Sequence, residues 1–368
     1  MEYKKFQDIE LSRLGFGAMR LKTLPDGKID RPLATSLFDR ALDGGINYID
    51  TAVIYLGGDS EVFLGECLSR YNRQSYNLAS KFTLGFSPDY RTMFEQQLKR
   101  LKTDYLDFYL MHGIGAKDAA RYIDEGAVDY FLEQKQKGRI RYLGFSTHAP
   151  IDTLRYFVSH HQWDFAQMQL NYYDWIYGTA AQEYKVLEDN NIPVWVMEPV
   201  RGGCLSRLSP AGAQILHDAH PEWTLASWAF RFVRSLPQVQ LILSGMNEME
   251  QIDDNLKTFS DFTPFDEPER QLCFNAARAF HDQVHVPCTE CRYCVDNCPS
   301  QLNIPEWIKL YNRSKIETDW VIGRFGHEVK SEGKPVDCIA CGDCASRCPQ
   351  SIDIPTYMAH LAQVMTRK

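Results

Sequence analysis

Tyr90-Arg-Thr-Met-Phe-Glu-Gln-Gln-Leu-Lys-Arg-Leu-Lys-Thr-Asp-Tyr-Leu-Asp-Phe-Tyr-Leu-Met-His112 is the stretch that decides the fold of most of this 368-residue chain. Its first part, Tyr90–Leu101, sets Met93, Phe94, Leu98 and Leu101 at helical threes and fours, with Asp89 ahead of it as an N-cap acceptor. Its second part, Leu106–His112, is the short apolar run of a strand buried on both faces. A helix feeding such a strand is one step of a parallel sheet with crossover helices. Outward from it, comparable runs stand at Leu14–Gly17, Asn47–Asp50, Leu78–Lys81, Tyr142–Ser146, Phe165–Gln169, Val194–Met197 and Leu241–Ser244. Helical patterns fill the gaps at Glu61–Tyr71, Ala119–Lys137, Ile151–His160, Ala180–Asn190, Thr224–Ser235 and Met249–Phe259. Eight strands in roughly 280 residues fit a closed (β/α)8 TIM barrel better than an open doubly wound sheet, because such barrels take about 250 residues plus insertions. Met1–Leu11 is expected to form a hairpin closing the barrel floor.

Forty basic against forty-eight acidic side chains leave a net charge of −8. That balance argues against nucleic acid as a partner, since phosphate neutralisation needs a basic face. No stretch approaches the roughly 18–20 apolar residues of a membrane span, and the amino terminus carries no apolar signal core. A cytoplasmic protein with no membrane partner is expected.

Eight of the eleven cysteines fall in two related runs. Cys288-x2-Cys291-x2-Cys294-x3-Cys298-Pro is followed by Ile-Pro305-Glu-Trp307, and Cys338-x2-Cys341-x2-Cys344-x3-Cys348-Pro by Ile-Pro355-Thr-Tyr357. The match extends through the tail, which marks an internal duplication. C-x2-C-x2-C-x3-C-P is the spacing of bacterial two-cluster ferredoxins, in which the fourth cysteine of each run ligates the other cluster. Cys288, Cys291, Cys294 and Cys348 are therefore assigned to one [4Fe-4S] cluster, and Cys338, Cys341, Cys344 and Cys298 to the other. Zinc is the competing reading, because paired C-x2-C units also build tetrahedral sites of four thiolates. The region resembles the dicluster ferredoxins over roughly residues 284–357. The expected organisation is a barrel over 1–265, a linking helix over 266–283 and a small ferredoxin-like α+β domain over 284–368.

Chemistry in such barrels sits at the carboxyl ends of the strands. There stand Asp50, Lys81 and His112, with Tyr55 five residues beyond Asp50. A phenol has a pKa near 10, and a nearby ammonium held by a carboxylate is expected to lower it. Together with their contexts these residues resemble the aldo-keto reductase superfamily, whose tetrad is Asp, Tyr, Lys and His. The resemblance covers nearly all of the first 260 residues and, with the cysteine runs, extends to the iron-sulfur branch of that superfamily. It implies NAD(P)H as cofactor and assigns Ser146 and Gln167 to the nicotinamide carboxamide. Ser244, Gly245, Met246, Asn247, Gln251 and Asn255 are implied at the pyrophosphate and adenosine end, and Gly17, Met19, Met197, Pro199 and Gly202 along the same cofactor. Met197 stands where many members stack an aromatic ring.

The expected activity is hydride transfer between NAD(P)H and a small-molecule carbonyl or alcohol carbon. Tyr55 then acts as proton donor, His112 orients the oxygen, Lys81 tunes Tyr55 and Asp50 fixes Lys81. The clusters motivate a second reading, an electron-transfer or redox-sensing protein with a retained nicotinamide or flavin site and a ferredoxin or similar electron-transfer partner. Hydride carries two electrons and each cluster one, yet no flavin motif is recognised, so a flavin is not indicated. An intact tetrad favours the enzyme.

Overall fold

The structure is a computed structural model that describes residues 1–261, 263–282, 285–317 and 319–366. An antiparallel hairpin, β1 (Tyr3–Phe6) and β2 (Ile9–Ser12), precedes eight parallel strands. These are β3 (Leu14–Gly17), β4 (Tyr48–Asp50), β5 (Asn77–Phe82), β6 (Leu106–Ile114), β7 (Ile140–Thr147), β8 (Phe165–Gln169), β9 (Val194–Met197) and β10 (Val239–Ser244). They close in chain order, with Ile242 of β10 in register with Leu14 of β3. The barrel and its strands are those the apolar runs mark.

One end of the barrel is plugged by the hairpin. Phe6 and Leu11 are buried with Tyr48, Phe108, Tyr142, Phe165 and Trp195. Phe6 meets Trp195 edge-on at 4.9 Å and Tyr142 at 5.0 Å, the tilted geometry that ring quadrupoles favour.

The helices follow the expected pattern with two kinds of departure. The expected helix Ala119–Lys137 is two, Ala119–Asp124 and Ala127–Gln136, because Gly126 between them takes φ +76°, a conformation the helix interior cannot use. Further helices form at Arg31–Asp43, Tyr172–Tyr177 and Pro210–Ala219. The first is capped by Asp30, whose carboxylate accepts from Leu33 N, and carries a proline in its first turn.

The chain divides into two compact units, and the division is not linear. One comprises Met1–Val200 and Pro221–Phe274, the other Arg201–His220 and Asn275–Lys368. The segment after β9 thus leaves the barrel unit, against the expected boundary at 265. The reason is local: Ser209 Oγ donates to Ala279 O, and Arg201 Nη1 donates to Pro287 O at 2.9 Å. The expected linking helix is present as Glu267–His281, with its expected end at Gln283 outside the described residues.

The second unit has its own core, in which Trp307, Ile308, Val321, Ile322, Met358 and Leu361 are buried. Its described residues hold helices and tight turns and no strand, in place of the α+β mixture expected. Each cysteine run is too occupied with turns to extend, and each Ile-Pro tail starts a helix, Ile304–Glu317 and Ile354–Thr366. Among the described residues, no helix is long and apolar enough to cross a membrane.

Candidate active site and cysteine cavities

Asp50 closes β4, Lys81 lies in β5 and His112 in β6, three neighbouring barrel strands. Tyr55 follows β4 in the turn Tyr55–Gly58, where Leu56 and Gly57 take positive φ. Lys81 Nζ donates to Asp50 Oδ1 in a close ion pair and to Thr51 O at 2.8 Å. The ammonium sits 4.8 Å from the centre of the Tyr55 ring, and that ring meets the His112 imidazole edge-on at 5.8 Å. All four side chains are buried. The structure brings the four together.

A polar scaffold lies behind them. Gln97 Nε2 donates to Lys81 O and to Glu61 Oε1, and Arg100 Nε donates to Glu61 Oε2 at 2.7 Å. The fully buried Glu61 is thereby compensated, as a buried charge must be. Thr83 Oγ1 lies 2.8 Å from His112 Nδ1, and Tyr122 Oη donates to His112 O at 2.9 Å. Sequence reasoning missed Thr83 and Tyr122, which touch His112 from 29 and 10 residues away.

Burial dominates the electrostatics. It pushes the Tyr55 phenol well above its ordinary value, with the Asp50 and Glu198 carboxylates acting in the same direction and Arg20 opposing them. The expected lowering by Lys81 is therefore corrected, since the ammonium lies over the ring face and desolvation wins. Burial also pushes the Asp50 carboxyl up and the Lys81 ammonium down, each opposed by the other's charge. The His112 imidazole is held well below 6.5 by burial, then by Lys81 and His148. His148, just past β7, was not singled out in the sequence.

Ser146 and Gln167 are neighbours in the β7–β8 register. Ser146 Oγ accepts from Gly113 N at 2.8 Å, which leaves its own proton to donate, while the buried Gln167 Oε1 has no hydrogen-bond partner. One free donor beside one free acceptor is the complement of a primary carboxamide. Beyond β10, Asn255 Nδ2 donates to Ser244 Oγ, Asn247 N donates to Gln251 Oε1, and Asn247 Nδ2 donates to Arg20 O. Met246 is buried and Gly245 exposed, and Gly17 in β3 faces the Ser244–Gly245 backbone. Met19 and Met197 are half-buried and Pro199 buried. Gly202 is placed elsewhere: it belongs to the second unit, against Thr289. Sequence reasoning also missed the Arg20–Glu198 ion pair at 2.8 Å, which joins the loops after β3 and β9.

The cysteines line two cavities. One collects Cys288, Cys291, Cys294 and Cys348, the other Cys298, Cys338, Cys341 and Cys344. Each draws three sulfurs from one run and the fourth from the other. Burial pushes the free Cys288 thiol up to about 12 and Cys344 up to about 11, so thiolates here need a cation to share their charge. All-sulfur sets in apolar walls of Ile352, Ile354 and Leu302 suit iron–sulfur ligation.

Comparison with known proteins identifies a family for each of the two regions. The model of the aldo/keto reductase family matches residues 13–273, and that of the 4Fe-4S dicluster domain matches residues 287–352. Among curated proteins, the uncharacterized oxidoreductase YqkF of Bacillus subtilis is 27% identical over 68% of this chain and 88% of its own length. The NADH-specific methylglyoxal reductase of Escherichia coli is 26% identical over 68% of this chain and 90% of its own. Among solved structures, the holo form of aldo-keto reductase AKR11C1 from Bacillus halodurans superposes with a TM-score of 0.64 at 29% identity, covering 76% of this chain and 97% of that one.

Proposed function

Because the chain belongs to the aldo/keto reductase family and carries a 4Fe-4S dicluster domain, we propose that it interconverts a small carbonyl compound and its alcohol by hydride transfer with NAD(P)H in the cytoplasm. The observation that carries this reading is the buried grouping of Tyr55, Lys81, Asp50 and His112 at the strand ends. The nicotinamide supplies the hydride. Ser146 would donate to the carboxamide oxygen of a bound nicotinamide and Gln167 would accept from its amide.

In the reducing direction, negative charge develops on the carbonyl oxygen. In the tautomer in which Thr83 donates to Nδ1, the neutral His112 carries its proton on Nε2 and offers it to that oxygen as a hydrogen bond. Tyr55 transfers its proton to the oxygen. Its raised pKa keeps the phenol protonated and ready, and the Lys81 ammonium, fixed by Asp50, steadies the phenolate left behind. Reduced cofactor, carbonyl and one proton give oxidised cofactor and alcohol, so the hydride step balances without the clusters. Those serve electron exchange with, or docking to, a carrier protein. The test is carbonyl-dependent loss of reduced-nicotinamide absorbance under anaerobic conditions.

No strong preference for NADPH over NADH is expected. Recognition of a 2′-phosphate ordinarily needs unpaired Arg or Lys. Residues 244–251 contain neither, and carry Glu248 and Glu250. The nearby Lys22 is spoken for by Glu248 at 2.9 Å. Fluorescence titration of the two reduced cofactors decides the point. A hundredfold preference for NADPH, about 2.7 kcal/mol, would contradict it.

A further inference from the structure

Arg201 is a cation built into the support of one cysteine set. It lies in the same compact unit as the cysteines and is only 3% exposed. Its guanidinium donates through Nη1 to Pro287 O at 2.9 Å and through Nη2 to Gln350 Oε1 at 2.8 Å. Pro287 precedes Cys288, while Gln350 lies two residues beyond Cys348 and lines the same cavity. One side chain thus clamps together the loop that brings Cys288, Cys291 and Cys294 and the segment that brings Cys348.

The backbone is shaped to put it there. Arg201 takes φ +50°, rare for a residue with a side chain, and Gly202 takes φ +64°. A Cβ on Gly202 would lie 1.9 Å from Thr289 O, so the chain rests directly on the ligand loop. The two cavities differ in charge: the wall of the first includes Arg292, with Arg201 clamped behind it, whereas among the described residues the wall of the other includes Asp343 and no Arg or Lys.

We propose that Arg201 raises the reduction potential of the cluster held by Cys288, Cys291, Cys294 and Cys348, and of that cluster alone. The proposal rests on the reading that these thiolates hold [4Fe-4S] clusters. Uptake of one electron makes a cluster more negative by one charge, and a fixed cation in a weakly screening interior stabilises the more negative form. Arg201 is a positioning residue with an electrostatic consequence, since it holds the ligand loops through Pro287 and Gln350.

Anaerobic potentiometric titration with dithionite, followed by electron paramagnetic resonance, tests this on the full chain. In Arg201→Gln one midpoint falls by at least 59 mV, a tenfold loss in the reduced-to-oxidised ratio of a one-electron couple, and the other stays. Arg201→Lys, which keeps the charge, recovers most of the shift. Gln350→Glu, which sets a carboxylate against the guanidinium, lowers the same midpoint and keeps the clamp should Arg201→Gln lose iron. Repeating the titration in Cys298→Ser identifies the cluster that moves. Full iron content with unmoved midpoints, or an equal fall in Arg201→Lys, overturns the role of Arg201 alone. A wild-type protein without an iron–sulfur signal overturns the cluster reading and the proposal with it.

Discussion

Tyr55→Phe is expected to lower kcat/KM for carbonyl reduction by about 10³-fold, within the range that general acid catalysis contributes, and to leave the NADH dissociation constant unchanged. The ring survives in the variant, so its packing against His112 survives; only the transferable proton is gone. Lys81→Met should act in the same direction, because the phenolate then forms beside a buried carboxylate with no cation to balance it. The pH profile carries the same signature. Reduction needs Tyr55 protonated and His112 neutral, and burial moves the first pKa above 10 and the second below 6.5. Above about pH 6.5 kcat/KM should therefore show no acid limb from His112, and below about pH 10 no alkaline limb from the tyrosine, so that any alkaline fall in that window reports the Lys81 ammonium, which burial pushes down. Steady-state kinetics of the variants and wild type across that window check both statements. Undiminished turnover in Tyr55→Phe would remove the tetrad from the mechanism.

Anaerobically prepared protein should contain about eight irons and eight acid-labile sulfides per chain, and paired substitutions should reveal how the cysteines are shared. Cys288→Ser with Cys348→Ser disables one set twice over and should leave about four irons, because the other set is intact. Cys288→Ser with Cys298→Ser strikes both sets and should leave almost none, although both changes lie in a single run. Iron and sulfide analysis distinguishes this from clusters held each by its own run, for which the two outcomes are exchanged. Zinc without sulfide would defeat the cluster assignment altogether.

The parts of this molecule that repeat along the chain were legible in the sequence. Leu14–Gly17, Phe165–Gln169 and Val194–Met197 begin and end where their apolar runs do, because strands buried on both faces leave a continuous mark. The two cysteine runs are equally plain, since each is local. The long-range partners left no such mark. Arg201 meets Gln350 across 149 residues, and Arg20 meets Glu198 across 178. Nothing periodic announces a hydrogen bond of that span, so residues 201–220 fall within the barrel expected over 1–265 although they pack in the second unit. The sign of the Tyr55 shift was lost for a related reason. Sequence shows an ammonium and a phenol at neighbouring strand ends, but the weight of burial against that charge depends on depth, which only packing determines.

Hydride transfer from nicotinamide to a carbonyl carbon at the Tyr55 site is the proposed reaction. Anaerobic turnover of NADH dideuterated at C4 of its nicotinamide with a panel of small aldehydes and ketones, read by mass spectrometry and deuterium NMR of the products, tests it most directly. One deuterium on the carbinol carbon of the alcohol, lost with the alcohol itself in Tyr55→Phe, is the predicted result. Oxidation of the labelled NADH that proceeds only with a one-electron acceptor such as a viologen, with no labelled alcohol from any carbonyl, would contradict it.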